Sequence, residues 1–184
     1  NRLHLVPSNM LLAGVELELR TASGKELILG EQLRRVSHQY DLCVIDTLPA
    51  LGLLMLNALV GATNVLVPVQ AHFYALDGLK RLLETIDLIR TRFHPCFVRP
   101  LGMLLTFVEG RTTLSRRVEQ GMRKLFGPLV FDAVIHKAIA LAEAPSVGQS
   151  VLTYAPESRG SMEYKILAQE VMARLQGPDA VSYT

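Results

Sequence analysis

Short apolar runs alternate along this chain with longer stretches in which apolar residues recur every three or four positions. A short continuous run is typical of a strand that is buried on both faces, and the longer period is typical of an amphipathic helix. Their alternation predicts an α/β fold with a doubly wound, mainly parallel sheet covered by helices. The strand candidates are Leu42–Ile45, Val65–Val69 and Leu101–Phe107, with Val130–Ile135 and Leu3–Val6 as weaker candidates.

The clearest helical stripes lie over Leu79–Phe93, Leu114–Leu125 and Met162–Leu175. A further helical pattern runs through Leu12 to Leu19, and the preceding Pro7-Ser8-Asn9 supplies capping side chains. No linker, repeat or low-complexity tract interrupts the sequence. We therefore expect a single α/β domain over residues 1–176 and a frayed tail over residues 177–184.

The composition excludes several classes of protein but does not indicate a function. Hydrophobic residues make up 49% of the 184 and charged residues 20%, a balance that excludes an intrinsically disordered chain. The longest apolar runs are too short to span a bilayer. The two cysteines, Cys43 and Cys96, lie far apart, which argues against a disulfide framework and against paired metal ligands. These features predict a cytoplasmic protein with two buried, reduced thiols.

Asp46 is the first candidate for chemistry, because it directly follows the predicted strand Leu42–Ile45. Ligands of open α/β sheets bind beyond the carboxyl ends of the strands. In P-loop NTPases an aspartate at such a position helps to hold the Mg²⁺ that bridges the nucleotide phosphates. An aspartate there also commonly caps the following helix, and spacing alone leaves both interpretations open.

Several segments in order carry a resemblance to a known family. Tyr40–Gly52 resembles the Walker B segment of the ParA/Soj partition ATPases, written Y-D-x-x-x-x-D-x-P-P-x-L-G. The order and spacing of that family are followed at Pro7–Glu16, Leu56–Leu59, Val67–Gln70, Tyr74–Leu79, Gly102–Thr106, Arg111–Ser115 and Glu143–Ser146. The resemblance extends from about Leu3 to Leu175.

This resemblance implies a P-loop NTPase-like fold and an ATP-dependent chromosome or plasmid partition protein. It implies Mg²⁺ and ATP as cofactors in the intact family, a nucleotide-switched homodimer, a ParB-type partner and nonspecific binding to nucleoid DNA. For this chain we expect a homodimer or larger self-association and no membrane partner. By the same resemblance Asp46 holds Mg²⁺ through water, and Lys137, Ala138 and Pro145 lie near the nucleotide. The implied DNA-contacting residues are Arg111, Arg116, Arg117, Arg123 and Lys124.

The sequence also departs from the family pattern. It contains no K-G-G-x-G-K-S/T loop, and the isolated Gly24-Lys25 lacks the preceding strand and the other glycines of such a loop. We therefore expect an α/β domain without the first strand and phosphate-binding loop, which alone neither binds nor hydrolyses ATP appreciably. His136-Lys137-Ala138 stands where the family commonly has Pro-Arg-Asn. Ala140 occupies a position where relatives often have a DNA-contacting arginine.

Three alternatives remain at this stage. The basic run Arg111–Lys124 also fits the solvated face of a helix. The chain as a whole also fits a non-catalytic ParA-like interaction or dimerisation module. A MinD-like membrane-cycling ATPase is less favoured, because such proteins end in a basic amphipathic helix and this sequence ends Gly-Pro-Asp-Ala-Val-Ser-Tyr-Thr.

Overall fold

Most of the predicted strands and helices are present in the computed structural model, which describes residues 3–48, 52–70, 75–93, 96–109 and 112–177. The strands are β1 (Asn64–Gln70), β2 (Arg99–Val108) and β3 (Val130–His136). The helices are α1 (Leu11–Glu18), α2 (Ile28–Val36), α3 (Leu53–Gly61), α4 (Ala75–Arg92), α5 (Thr113–Phe126), α6 (Ile139–Glu143), α7 (Val151–Tyr154) and α8 (Arg159–Leu175). Short 3₁₀ turns cover residues 19–21, 37–39, 127–129 and 144–147.

Tertiary contacts divide the chain into two compact units. The first comprises residues 1–63 and 89–98, and the second comprises essentially residues 64–88 and 99–182, each within the described ranges. The expectation of one domain over residues 1–176 stays a prediction. The frayed tail was expected over residues 177–184, of which 178–184 lie outside the described residues.

The second unit is built on a parallel sheet with the strand order β1-β2-β3. One face of the sheet packs against α4 and α5, where Leu79, Val118 and Met122 join the buried residues of the strands. The opposite face packs against α8, where Leu167 contacts a cluster that includes the fully buried Phe131. Helices on both faces explain why the strands read as continuous apolar runs. The predicted α/β class and parallel sheet are confirmed.

A glycine in β2 allows a close approach that no other residue permits. Gly102 has φ +155°, and the register between β1 and β2 shifts beside it, between Val65 and Leu66. A Cβ atom at Gly102 would lie 2.6 Å from the carbonyl oxygen of Leu129 and 2.7 Å from Nη1 of Arg174. Real Cβ atoms do not approach other atoms so closely, so this position depends on the absence of a side chain.

The first unit contains α1, α2 and α3. Asn57 of α3 is buried, and its amide donates to the carbonyl oxygens of Lys25 and Leu53, at 2.8 and 2.9 Å, while Oδ1 accepts from the backbone N–H of Leu29 at 3.1 Å. Beside it, the backbones of Gly30 and Gly61 nearly touch, so a Cβ atom on Gly61 would lie 3.2 Å from the other glycine. The amide and the glycine pair hold α2 against α3.

Two strand predictions in this unit are wrong. Neither Leu42–Ile45 nor Leu3–Val6 forms a strand, and both runs have irregular backbone. A strand buried on both faces needs hydrogen-bonded neighbours and covering layers, whereas the side chain of Val44 is 83% exposed. Each run has the composition of a buried strand, but none of the described strands pairs with it. His4 Nδ1 lies 2.6 Å from the hydroxyl oxygen of Tyr40, two positions before Leu42. The expected burial of both thiols is also wrong, because Cys43 is exposed and Cys96 is half-buried.

Candidate functional site

The carboxyl ends of the three parallel strands meet at one edge of the second unit. Gln70 ends β1 and pairs in register with Thr106 of β2, and Val108 ends β2 and pairs with His136 of β3. The chain then continues past this edge through Glu109 and Lys137. Edges of this kind bind ligands in open α/β sheets, because the loops that leave the strands converge there.

The predicted nucleotide residues lie at or beyond this edge. The backbone N–H of Lys137 donates to the carbonyl oxygen of Val108 at 3.2 Å, which ties the exit of β3 to the end of β2. The ammonium group of Lys137 lies 3.2 Å from Oε1 of Glu109 in an exposed ion pair. Ala138 follows in extended conformation at the start of α6, and Pro145 lies exposed in the 3₁₀ turn after that helix.

Asp46 lies in the first unit, in the irregular segment that was expected to be a strand, and its side chain is exposed. An exposed carboxylate is the kind of donor that Mg²⁺ takes, since this ion is usually held by one or two carboxylates together with water and phosphate oxygens. The described residues contain no group of three or more His, Cys, Asp or Glu side chains placed to hold a metal ion. The assignment of Asp46 to magnesium stays a prediction.

The basic run is helical, as predicted, from Thr113 to Phe126. Thr112 caps this helix, accepting a hydrogen bond from the backbone N–H of Ser115 at 3.3 Å. Arg116, Arg117 and Lys124 are exposed, whereas Arg111 lies outside the described residues.

Arg123 of α5 forms two ion pairs. Its guanidinium lies 3.2 Å from Glu119 and 3.3 Å from Asp132, so its charge is largely compensated. The assignment of these residues to DNA stays a prediction.

Comparison with known proteins identifies the family. A family model described as an AAA domain matches residues 1–98. The chromosome-partitioning ATPase Soj of Thermus thermophilus is 44% identical over 173 residues, which are 94% of this chain and 67% of that protein. The sporulation initiation inhibitor protein Soj of Bacillus subtilis is 39% identical over 93% of this chain and 67% of its own length. The chain belongs to the ParA/Soj family of partition ATPases.

The 184 residues span about two thirds of the length of these ParA/Soj relatives. A solved structure with the same fold is cobyrinic acid a,c-diamide synthase from Mycobacterium smegmatis with bound ADP and magnesium. It is 27% identical, with a TM-score of 0.77, over 95% of this chain and 64% of that protein. Within the described ranges, no helix of the ParA/Soj chain combines the length and apolar character needed to cross a membrane.

Sequence reasoning missed a row of charged side chains on α8 of this ParA/Soj chain. Glu163 accepts from the backbone N–H of His136 at 2.8 Å and contacts Nδ1 of the same residue at 2.8 Å. Two turns on, Glu170 accepts from the backbone N–H groups of Asp132 and Ala133 at 3.0 and 2.8 Å. These carboxylates accept hydrogen bonds from backbone N–H groups of β3, which is an outer strand of the described sheet and has a strand neighbour on one side only. Their seven-residue spacing was the available signal.

The pKa values of both carboxyl groups, Glu163 and Glu170, lie below the ordinary value for glutamate. Burial raises the pKa of Glu163, but the backbone N–H of His136, then the side chains of Arg159 and His136, lower it by more, so that its pKa ends below the ordinary value. Burial likewise raises the pKa of Glu170, and the N–H groups of β3 and the guanidinium of Arg174 overcome this effect. The folded state thus favours the charged form of both groups.

Proposed function

We propose that this protein is the nucleotide-switched ATPase of a chromosome or plasmid partition system. The observation that carries the proposal is the 44% identity to the Thermus thermophilus chromosome-partitioning ATPase over nearly the whole chain. The parallel sheet supports it, because its carboxyl edge brings the loop after β3, with Lys137 and Ala138, beside the end of β2. Lys137, Ala138 and Pro145 are the proposed nucleotide-contacting residues.

Magnesium and ATP are the proposed cofactors. ADP and magnesium are bound in the cobyrinic acid a,c-diamide synthase structure that shares this fold. Asp46 is an exposed carboxylate and would supply one oxygen ligand, directly or through water. Bound Mg²⁺ would neutralise part of the charge on the nucleotide phosphates. The protein would thus contribute a carboxylate oxygen of Asp46, which lies on the segment before α3.

DNA, a ParB-type protein and a second copy of the chain are the proposed partners. The support for DNA is the basic surface of α5, where Arg116, Arg117 and Lys124 are exposed on adjacent faces. Such residues neutralise phosphates without reading bases, so binding would be nonspecific and would place the protein on the nucleoid. The charge of Arg123 is partly compensated by Glu119 and Asp132.

A second candidate function is a non-catalytic ParA-like interaction module. This alternative applies to a protein without a K-G-G-x-G-K-S/T loop, and no such loop occurs within these 184 residues. Phosphate binding of this kind needs consecutive backbone N–H groups and lysine side chains aimed at the anion. Asp46 by itself would repel a triphosphate.

Titration calorimetry with Mg-ATP separates the two functions. The product of the complete reading frame of the gene is expected to bind Mg-ATP with about one site per chain, and Asp46→Ala in that product should weaken magnesium-dependent binding. The isolated 184 residues are expected to show little binding. Absence of ATP binding by the complete product would favour the interaction module. Micromolar binding by the 184 residues alone would show that the phosphate site lies within them.

A further inference from the structure

Phe107, near the end of β2, has an unusual backbone conformation. Its φ is +53°, and among the described residues it is the one non-glycine residue with positive φ. The left-handed region brings Cβ too close to the following carbonyl oxygen, so a bulky aromatic residue there is strained. Such strain persists where the surrounding structure imposes it, and it is concentrated at ligand sites.

A bulge in β2 imposes this conformation. Leu105 pairs with Val134, whereas Val108 pairs with His136, so three residue steps on β2 face two on β3. The additional residue turns the strand locally and reorients the side chains of the bulge. The ladder then resumes, with Val108 accepting from the backbone N–H of Lys137 at 3.2 Å. Phe107 is thereby held at the carboxyl edge of the sheet.

Burial does not offset the strain. The side chain of Phe107 is 59% exposed, whereas its neighbours Leu105 and Val108 are 0% and 4% exposed. Exposing a large apolar ring to water is unfavourable, and so is the positive φ of its backbone. Hydrophobic packing within the described structure does not offset these two costs. A ligand that covers the ring would supply the missing contact.

We propose that Phe107 stacks against the base of the bound nucleotide, an inference that rests on the proposed function. The ring is at the edge where ligands of parallel sheets bind, one residue from the hydrogen bond that joins β2 to Lys137. An aromatic face is apolar and stacks on any nucleobase, while it offers nothing to phosphate. Lys137, whose backbone is bonded to Val108, has its ammonium paired with Glu109, so this ion pair adds no net charge. These properties fit the base rather than the triphosphate.

The test compares a ligand with a base and one without, using the product of the complete reading frame. Phe107→Gly removes the ring and leaves a residue that accepts positive φ, so the fold should be retained with an equal or higher melting temperature. It is expected to weaken Mg-ATP binding about tenfold, or about 1.4 kcal/mol, and to leave binding of magnesium tripolyphosphate unchanged. Phe107→Tyr keeps the aromatic face and should bind ATP within about twofold of the unaltered protein.

Leu125→Ala is the matched control. Leu125 is 64% exposed and lies at the end of α5, next to the amino-terminal end of β3, so its truncation should leave both affinities unchanged. Unaltered ATP affinity in Phe107→Gly, or equal loss of ATP and tripolyphosphate binding, would overturn the stacking role. If the unaltered protein bound tripolyphosphate but not ATP, the base subsite would be wrong as well. If it bound neither, the proposed function itself would fail.

Discussion

The guanidinium of Arg174 lies over the ring of Phe131, with 4.0 Å between its central carbon and the ring centroid. The same group donates to the carbonyl oxygens of Leu101, Pro128 and Val130 at 3.0 to 3.2 Å and forms an ion pair with Glu170. One side chain of α8 therefore holds the beginnings of β2 and β3 together, because each oxygen is a backbone acceptor near an amino-terminal strand end.

Replacing the guanidinium of Arg174 should lower the free energy of unfolding by more than the loss of one ion pair would. Arg174→Lys keeps the charge but loses the planar fork, so two or three backbone carbonyls lose their donor, and we expect a loss of about 2–3 kcal/mol. Arg159→Lys is the control on the same helix, since the side chain of Arg159 is 60% exposed in its ion pair with Glu163, and should cost below about 1 kcal/mol. Urea unfolding measures both. Similar losses in the two variants would contradict the bridging role of Arg174.

Two glycine substitutions should change stability in opposite directions. Gly102→Ala places a Cβ atom against the carbonyl oxygen of Leu129 and the guanidinium of Arg174, so we expect a loss of about 1–3 kcal/mol. Gly121 lies within α5, where an added Cβ atom meets nothing within 4 Å. Gly121→Ala should therefore gain up to about 1 kcal/mol through helix propensity. Thermal or urea unfolding checks both signs, and a stabilising Gly102→Ala would show that the approach at this glycine is not tight.

Stability should fall in acid partly through the two carboxylates of α8. The folded-state pKa values of Glu163 and Glu170 are below the ordinary value of 4.5, so their contribution is present above that value and is lost as the pH falls through the folded pKa. Glu170→Gln should lower stability at neutral pH and flatten its decline below about pH 5. The measurement is the urea midpoint against pH. Glu157→Gln, at an exposed residue before α8, is the charge-matched control.

We expect DNA binding to depend on the basic residues of α5 and on salt. Replacing Arg111, Arg116 and Arg117 with alanine should weaken binding on all sequences alike, because phosphate contacts carry no sequence information. The double variant Arg116→Ala/Arg117→Ala should reduce the slope of log K against log salt by about 2.

A charge-matched control comes from another helix. Arg34→Ala/Arg35→Ala removes two exposed arginines from α2 and should leave the salt slope nearly unchanged. Gel shifts at several salt concentrations measure both pairs. Equal effects would mean that net charge, and not the surface of α5, determines binding.

The sequence by itself predicted the sheet strands of the second unit and the helices that cover them. The apolar runs near Val65, Leu101 and Val130 became β1, β2 and β3, and the stripes over α4, α5 and α8 became helices. Periodicity sufficed here because these strands have helices on both faces, so the residues that needed burial obtained it. The segments that resemble the ParA/Soj family could also be recognised from the sequence, since each is a short run of consecutive residues.

Strand pairing, ion pairs and register join segments that are distant in sequence, and only the tertiary structure determined them. Leu42–Ile45 is as apolar as a buried strand, yet it forms none, because a strand exists through hydrogen bonds to a neighbour that its own residues do not encode. The pairing of Arg123 with Asp132 and the bonds of Glu163 and Glu170 to β3 likewise join separate segments. The positive φ of Phe107 arises from the unequal register of β2 and β3. Local pattern states which residues favour burial, but register and pairing are properties of two chain segments together.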